Sequence, residues 1–330
     1  MILLIALLFQ LPSYGLAQST EAIAQKKALL LMGCSFELTA VAVNKQQSWD
    51  AINAGIGEIE RIEALISSWD PNSQTSAIND NAGIKEVAVD DELFQLIYRA
   101  KKISKLTEGA FDITYASMDK IWRFDGTMTE APSIDEIADS RSKIDWEKII
   151  LDNAERTVFL PETGMKIGFG AIGKGYAANK AKELMKDMPG VIGGLVNASG
   201  DLISWGENTK KKGWTISISD PKNKQQPLAW LQIDELSVVT SGDYEKFALI
   251  DGIRYAHIID PRTGYPTTGI KSVTIICPDA ELGDALATSV FVLGASKGLA
   301  LINKLEQVEC IIVTDTDELV ASSNLNLNYF

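Results

Sequence analysis

The densest run of residues that could do chemistry is Gly168-Phe169-Gly170-Ala171-Ile172-Gly173-Lys174-Gly175, followed by Tyr176-Ala177-Ala178-Asn179-Lys180-Ala181. Glycines at 168, 170, 173 and 175 let main-chain N–H groups approach a ligand closely. A helix starting near Lys174 points the positive end of its dipole the same way. That combination suits a phosphate. Gly168-x-Gly170-x-x-Gly173 matches a dinucleotide fingerprint, and Gly168-x4-Gly173-Lys174 matches a P-loop up to Gly175, which stands where a magnesium-binding Ser or Thr belongs. The fingerprint also needs an acid closing the next strand, whereas Val191–Ala198 runs into Ser199-Gly200-Asp201. A tightly packed strand-to-helix turn would explain the same glycines.

Asp284 and Thr288 are four residues apart in a helix read from Gly283. That spacing puts a carboxylate and a hydroxyl on one face, a hard-oxygen pair for Mg²⁺ whose shell phosphate oxygens and water would complete. Alternatively Asp284 caps the helix and Thr288 bonds back to a carbonyl. His257 is the only histidine and precedes the turn Asp260-Pro261-Arg262-Thr263-Gly264. Its imidazole could serve as a base near neutrality or as a hydrogen-bonded structural group. Phe111-Asp112, read as exposed after Gly109, could stack on and hydrogen-bond a flat heterocycle. Trp69, in the polar loop 68–76, could pack on a ring or simply cover the core.

These groups need positioning. Residues 26–43 read as strand, glycine bend and strand; Ser48–Ser67 and Asp90–Thr107 read as amphipathic helices, the second capped by Gly109. Asp125–Ile144 reads as a polar insertion with a short helix from Ser133. Trp146–Pro161 reads as extended, and the glycine-rich helix should reach Met188. Strands are expected over Gly190–Trp205, Trp214–Ser219, Ala229–Thr240 and Lys271–Cys277, with a last hairpin from Cys310–Thr314 into Glu318–Ser322. Ser-Gly-Asp occurs at 199–201 and 241–243, each readable as a turn.

Composition limits the function class. At 46% hydrophobic and 23% charged the chain can build a sizeable core, and a formal net charge of −13 argues against a nucleic-acid partner. Three cysteines, Cys34, Cys277 and Cys310, are too scattered for a disulfide framework or zinc site. Ile2–Phe9 followed by Gly15-Leu16-Ala17 reads as a secretory signal over residues 1–17, with a mature chain starting near Gln18. Leu31-Met32-Gly33-Cys34 has the look of a lipoprotein site, but the apolar run before it is short, and Cys34 is placed in a strand. No later stretch reads as a transmembrane span.

Seven segments in order, Met32-Gly33, Gly109-Ala110-Phe111-Asp112, Gly170 to Ala177, Asn197 to Asp201, Thr240 to Tyr244, His257 to Gly264 and Asp284 to Thr288, resemble the ApbE family of flavin transferases. The resemblance spans nearly all of residues 18–330. It implies one α+β domain of two lobes, with mixed or antiparallel sheets, flanking helices and an FAD cleft between them. The implied reaction moves FMN from FAD to a Thr or Ser hydroxyl of a partner protein, such as a subunit of a membrane redox complex. Mg²⁺ is needed and AMP is released, on the periplasmic side of a bacterial inner membrane. By the same resemblance Asp284, Thr288 and the main-chain oxygen of Ala171 hold the metal, and Ala287 stands where some members add a carboxylate. Lys174 approaches the FAD diphosphate; Met32, Trp69, Ala110, Phe111, Asp112 and Ile258 line the nucleotide, and His257 is the available base. Cys34 and Gly168 depart from the pattern, where a hydroxyl residue and an Asp are usual. An FAD pyrophosphatase, with water as acceptor, fits the same residues; a flavin carrier without turnover would not need the metal pair. A nicotinamide dehydrogenase lacks its acidic ribose ligand.

Overall fold

The computed structural model describes residues 22–209, 213–219, 227–243, 247–325 and 328–329. The expected signal segment, residues 1–17, and the expected mature start at Gln18 lie outside the described residues. The centre is an eight-stranded antiparallel sheet built from β1 (Ile23–Leu31), β2 (Cys34–Ala42), β3 (Val191–Ala198), β4 (Asp201–Gly206), β5 (Ser237–Gly242), β6 (Ile270–Cys277), β7 (Glu309–Thr314) and β8 (Leu319–Ala321). In this sheet each strand lies beside the next in chain order. The alternation of buried Phe36, Leu38 and Ala40 along β2 fixes which face meets the core.

Six helices are described: α1 (Lys45–Ile66), α2 (Gln74–Asp80), α3 (Asp91–Leu106), α4 (Ile134–Arg141), α5 (Gly173–Lys186) and α6 (Ala280–Ile302). Helix α1 packs on β1, β2 and α5, helix α5 on β3 and β4, and α6 on α5, β5 and β6. The reason is amphipathic spacing. Ile52, Ile56, Ile59, Ile62 and Ile66 line one stripe of α1, and all are buried. Asn44 caps α1, and Ser133 with Glu136 closes a capping box on α4.

Helix α3 carries the turn with Ala110 to Asp112, and two ionic links tie it to the helical layer. Arg99 on α3 makes a two-pronged pair with Glu281 on α6, at 2.7 and 2.9 Å. Glu92 on α3 accepts from Arg61 of α1 and, at 2.5 Å, from the Tyr176 hydroxyl of α5. A second, smaller apolar cluster forms around Trp122, Met128, Ile137, Ala248, Ile250 and Ile259.

Several expectations shift. Gly190–Trp205 is two strands, because Ser199 (φ 55°) and Gly200 (φ 107°) turn the chain between β3 and β4. Ala229–Thr240 is also two, Pro227–Ile233 in a small sheet and β5 in the large one, divided at Glu235 (φ 55°). Residues 146–161 form a short 3-10 turn and a hairpin of Ile150–Asp152 with Thr157–Phe159. The segment before Gly173 is not a strand. Side chains replace the ladder there: Asn79 exchanges two hydrogen bonds with Ile167, and Ser117 two with Lys166. By length and composition alone α6, with 23 residues and an 18-residue window of mean hydropathy 1.7, could cross a membrane, but 44% of that window is buried inside the protein. Its buried residues pack on the sheet and α5.

The glycine-rich motif acquires a packing role at its second half. A Cβ on Gly175 would lie 2.0 Å from the Ala280 main-chain oxygen and 2.9 Å from the Asp284 Cβ, so α5 and α6 cross with their backbones nearly in contact. This accounts for glycine where a P-loop has its hydroxyl. Overpacking against backbone typically costs about 1–3 kcal/mol, so Gly175→Ala should lower the unfolding free energy by that order, read as a fall in the urea midpoint. An unchanged midpoint would show that the two helices are free to move apart.

Candidate active site

A cavity of about 560 Å³ opens where the large core meets the smaller cluster, with Phe111 and Phe169 from one and Ile259 from the other on its wall. Its parts come from distant stretches: the loop after α1, the turn after α3, the glycine-rich loop, the end of β5, residues 257–261 and α6. Trp69, Ala110, Phe111, Asp112, Ala171, Lys174, His257, Ile258, Asp284 and Thr288 all line it. Ten of the residues singled out in the sequence therefore converge on one space.

Two do not line it. Met32 forms the β1–β2 turn with Gly33, both at positive φ (50° and 72°), and its main-chain N–H donates to Glu63 at 3.0 Å. Its side chain stands beside Gly173, where an added Cβ would meet Met32 Cε at 3.6 Å. Ala287 is fully buried and presents only a methyl group.

The polar end is a buried charge cluster. Lys174 Nζ lies 2.6 Å from Asp201 Oδ2 and 3.2 and 3.3 Å from the two Asp284 oxygens. Asp284 Oδ2 also accepts from the Gly175 main-chain N–H at 3.1 Å, at the N-terminus of α5, where the dipole favours an anion. Asp284 is therefore not the cap of α6. Asp279 holds that position, accepting from the Leu282 N–H, and Asp284 lies one turn on. Burial pulls the Lys174 ammonium pKa down, but Asp284 and Asp201 pull harder the other way and hold it above the usual lysine range. Burial and neighbouring Asp284 push the Asp201 carboxyl above its usual range, against the pull of Lys174.

Thr288 Oγ1 and Ser241 Oγ, 3.4 Å apart, stand on the same cavity wall as Asp284. Carboxylate and hydroxyl oxygens suit a hard cation such as Mg²⁺ better than a soft one. Among the described residues no three His, Cys, Asp or Glu side chains gather into a metal cage. A cation here would draw the rest of its shell from main-chain oxygen, water or substrate.

Phe111 and Asp112 are buried, at 2% and 9% exposure, rather than exposed. The Asp112 carboxylate is engaged locally, accepting from the Thr114 N–H and hydroxyl at 2.7 and 2.6 Å and from the Trp146 N–H at 3.1 Å. It caps a 3-10 turn and fixes the wall. Trp69 is 80% exposed at the rim with the Lys120 ammonium 4.8 Å from its ring centre. His257 is exposed and directly follows the strand Ile253–Ala256. The neighbouring turn has its own fastenings: Arg262 pairs with Asp260 at 2.8 Å, and Trp122 donates to the Gly264 carbonyl at 2.9 Å.

In the sequence Asp201 and Ser241 appear only inside the motifs Asn197 to Asp201 and Thr240 to Tyr244, where each Ser-Gly-Asp is readable as a turn and carries no role of its own. Only the first is one. Ser241 and Gly242 lie in β5, and Asp243 pairs with Arg254. The available signal was their place in the ordered motifs, not any local feature of the two turns.

A family model, the ApbE family, matches residues 32–312. The chain belongs to the ApbE family. An FAD:protein FMN transferase of Klebsiella pneumoniae is 35% identical over 276 residues, 82% of this chain and 84% of that protein. One from Treponema pallidum is 31% identical over 308 residues, 87% and 84% of the two chains. The crystal structure of the ApbE protein of Thermotoga maritima is 30% identical with a TM-score of 0.81, covering 91% of this chain and 97% of that one. The apo form of the Pseudomonas stutzeri flavinyl transferase ApbE, at 23% identity and TM-score 0.80, shares the fold. The α+β architecture is thus that of ApbE proteins.

Burial also perturbs Asp112, pushing its carboxyl up to about 6 against the hydrogen bonds from Thr114 and Trp146. With the folded pKa raised above 3.8, the protonated form's contribution to stability is complete below about pH 4 and is lost as pH rises through about 6. Relative to Asp112→Asn, the wild type should therefore lose up to about 3 kcal/mol of stability between pH 4 and pH 7. Parallel urea-unfolding profiles for the two proteins would refute the shift.

Proposed function

We propose that this ApbE chain transfers FMN from FAD to a threonine or serine hydroxyl of a partner protein, requiring Mg²⁺ and releasing AMP. The carrying observation is that Lys174, Asp284, Thr288 and His257 share one cavity in a chain whose relatives bear the name FAD:protein FMN transferase. Ala110, Phe111, Ile258 and Trp69 give that cavity apolar walls for flat rings. Met32 packs behind the glycine-rich loop, beside Gly173, and does not line the cavity.

Phosphoryl transfer asks the protein mainly for positioning and charge neutralisation. Lys174, with the positive end of the α5 dipole behind it, meets the diphosphate, and His257 takes the proton of the acceptor hydroxyl. The hydroxyl oxygen bonds to the phosphorus of the FMN half, the bond from that phosphorus to the bridging oxygen breaks, and AMP leaves with that oxygen. Asp284, Thr288 and the Ala171 carbonyl would hold Mg²⁺, which when bound offsets the diphosphate charge; Ala287 can add no side-chain oxygen. Water in place of the acceptor hydroxyl would make the same site a pyrophosphatase.

The test is incubation with FAD, Mg²⁺ and a candidate acceptor, read by in-gel flavin fluorescence and a mass gain equal to FMN. FMN released without labelling would favour the hydrolase. Asp284→Asn keeps the side-chain size of a residue that is 2% exposed, so its circular dichroism spectrum should be retained while transfer is lost. His257→Ala should slow single-turnover transfer by about 10²–10⁴-fold at saturating FAD, with FAD affinity little changed. A loss under tenfold would remove His257 from the mechanism.

We further propose that the acceptor is a subunit of a membrane redox complex and that the chain works on the periplasmic side. The apolar run Ile2–Phe9 and the small residues Gly15-Leu16-Ala17 support export. N-terminal sequencing of the protein from its native cell should give a start near Gln18; full-length protein in the cytoplasm, or a lipid on Cys34, would overturn this.

A further inference from the structure

Three side chains from three separate elements meet at the polar end of the cavity with one more negative than positive charge. Asp201 opens β4, Asp284 lies in α6, and Lys174 lies in the first turn of α5. The two carboxylate side chains are 4% and 3% exposed, and Lys174 is 29% exposed. Buried carboxylates need a counter-charge, and here one ammonium serves both. Its contacts are unequal. Nζ is at 2.6 Å from Asp201 but straddles Asp284 at 3.2 and 3.3 Å from its two oxygens.

An ammonium facing both oxygens of the carboxylate read as a metal ligand stands where a divalent cation's charge would otherwise act. Like charges a few Å apart repel strongly in a partly buried site. We propose that Lys174 is a tethered stand-in cation for Asp284, and that Asp201 is the positioning residue that keeps the ammonium anchored when a divalent ion takes Asp284 from it. Asp201 holds the amine by the shorter contact, so the lysine can yield Asp284 without leaving the site. From that anchor its Nζ remains on the cavity wall, available to an anionic ligand. In this arrangement the two carboxylates are never left without positive charge, and metal entry and the freeing of Lys174 are one event. The proposal rests on the divalent-metal reading of this site.

The test measures metal binding to the FAD-free full chain, with Mn²⁺ as the probe and free Mn²⁺ followed by electron paramagnetic resonance. Lys174→Met removes the competing charge and keeps the length, and should bind Mn²⁺ about tenfold tighter or more, the size of effect one nearby unit charge has on an ionisation. Asp201→Asn should bind about tenfold more weakly in the wild-type background, because the ammonium then pairs with Asp284 alone. In the Lys174→Met background the same Asp201 change should weaken binding less, by the through-space loss of one negative charge alone, whereas a direct ligand role for Asp201 would cost at least as much there as in the wild type. In unaltered protein, Mn²⁺ should speed acylation of Lys174, read by peptide mass spectrometry, so the idea is tested even where a variant fails to fold. Equal or weaker Mn²⁺ binding by Lys174→Met, or Lys174 labelling that ignores Mn²⁺, would overturn the stand-in role while leaving the metal reading intact. No Mn²⁺ binding by either protein would overturn both.

Discussion

The close crossing of α5 and α6 governs the site. With no Cβ at 175, the start of α5 comes against the Ala280 carbonyl, and this proximity lets the Gly175 N–H donate to Asp284 at 3.1 Å. The same approach places Lys174 between Asp284 and Asp201, so one packing constraint sets the backbone donor, the carboxylate and the ammonium together. A bulkier residue at 175 would separate the helices and with them the charges. Buried carboxylates and their counter-ion depend on short distances, because the loss of hydration they suffer is offset only by close partners.

The remaining wall is supplied by α3 and held by charge. Arg99 with Glu281 and Glu92 with Arg61 and Tyr176 bind α3 to the helices that carry Lys174 and Asp284. Glu281 lies one turn before Asp284, so the Arg99 pair fastens α6 within one turn of that carboxylate. Ala110 to Asp112 follow directly from the end of α3, and Asp112 folds back to fix Thr114 and Trp146. Apolar wall and polar end are thereby built on one frame.

Much of this was legible in the sequence, for physical reasons. Helix α1 announced itself through isoleucines at helical spacing, and the β1–β2 hairpin through Gly33 between apolar runs. The convergence of Lys174, Asp284 and His257 came from the order of motifs, which a family likeness can convey and periodicity cannot. What the sequence hid were contacts between distant residues. Nothing local to Asp201 distinguishes a turn acid from a buried partner of Lys174, 27 positions earlier. Nor does Gly175 differ, as a letter, from a phosphate-cradling glycine. The exposed reading of Phe111 and Asp112 failed because Phe111 belongs to the main core cluster and the Asp112 carboxylate turns inward to main-chain donors at Thr114 and, 34 positions on, Trp146.

The two departures from the family pattern differ in what they do to charge. Gly168 borders the cavity, and a Cβ there would come within 3.0 Å of the Ala116 Cβ, so the local wall is shaped for glycine and lacks a carboxylate. Cys34 is half-buried at the start of β2. Burial raises its thiol pKa, the nearby Lys174 opposes this, and Asp201, Asp284 and Glu63 add to it. The sulfur is therefore held as a neutral thiol at physiological pH, as a hydroxyl in its place would be neutral. Replacing the usual hydroxyl residue by cysteine leaves the balance of two carboxylates and one ammonium unaltered, whereas a thiolate there would have added a third negative charge to a cluster with a single counter-ion.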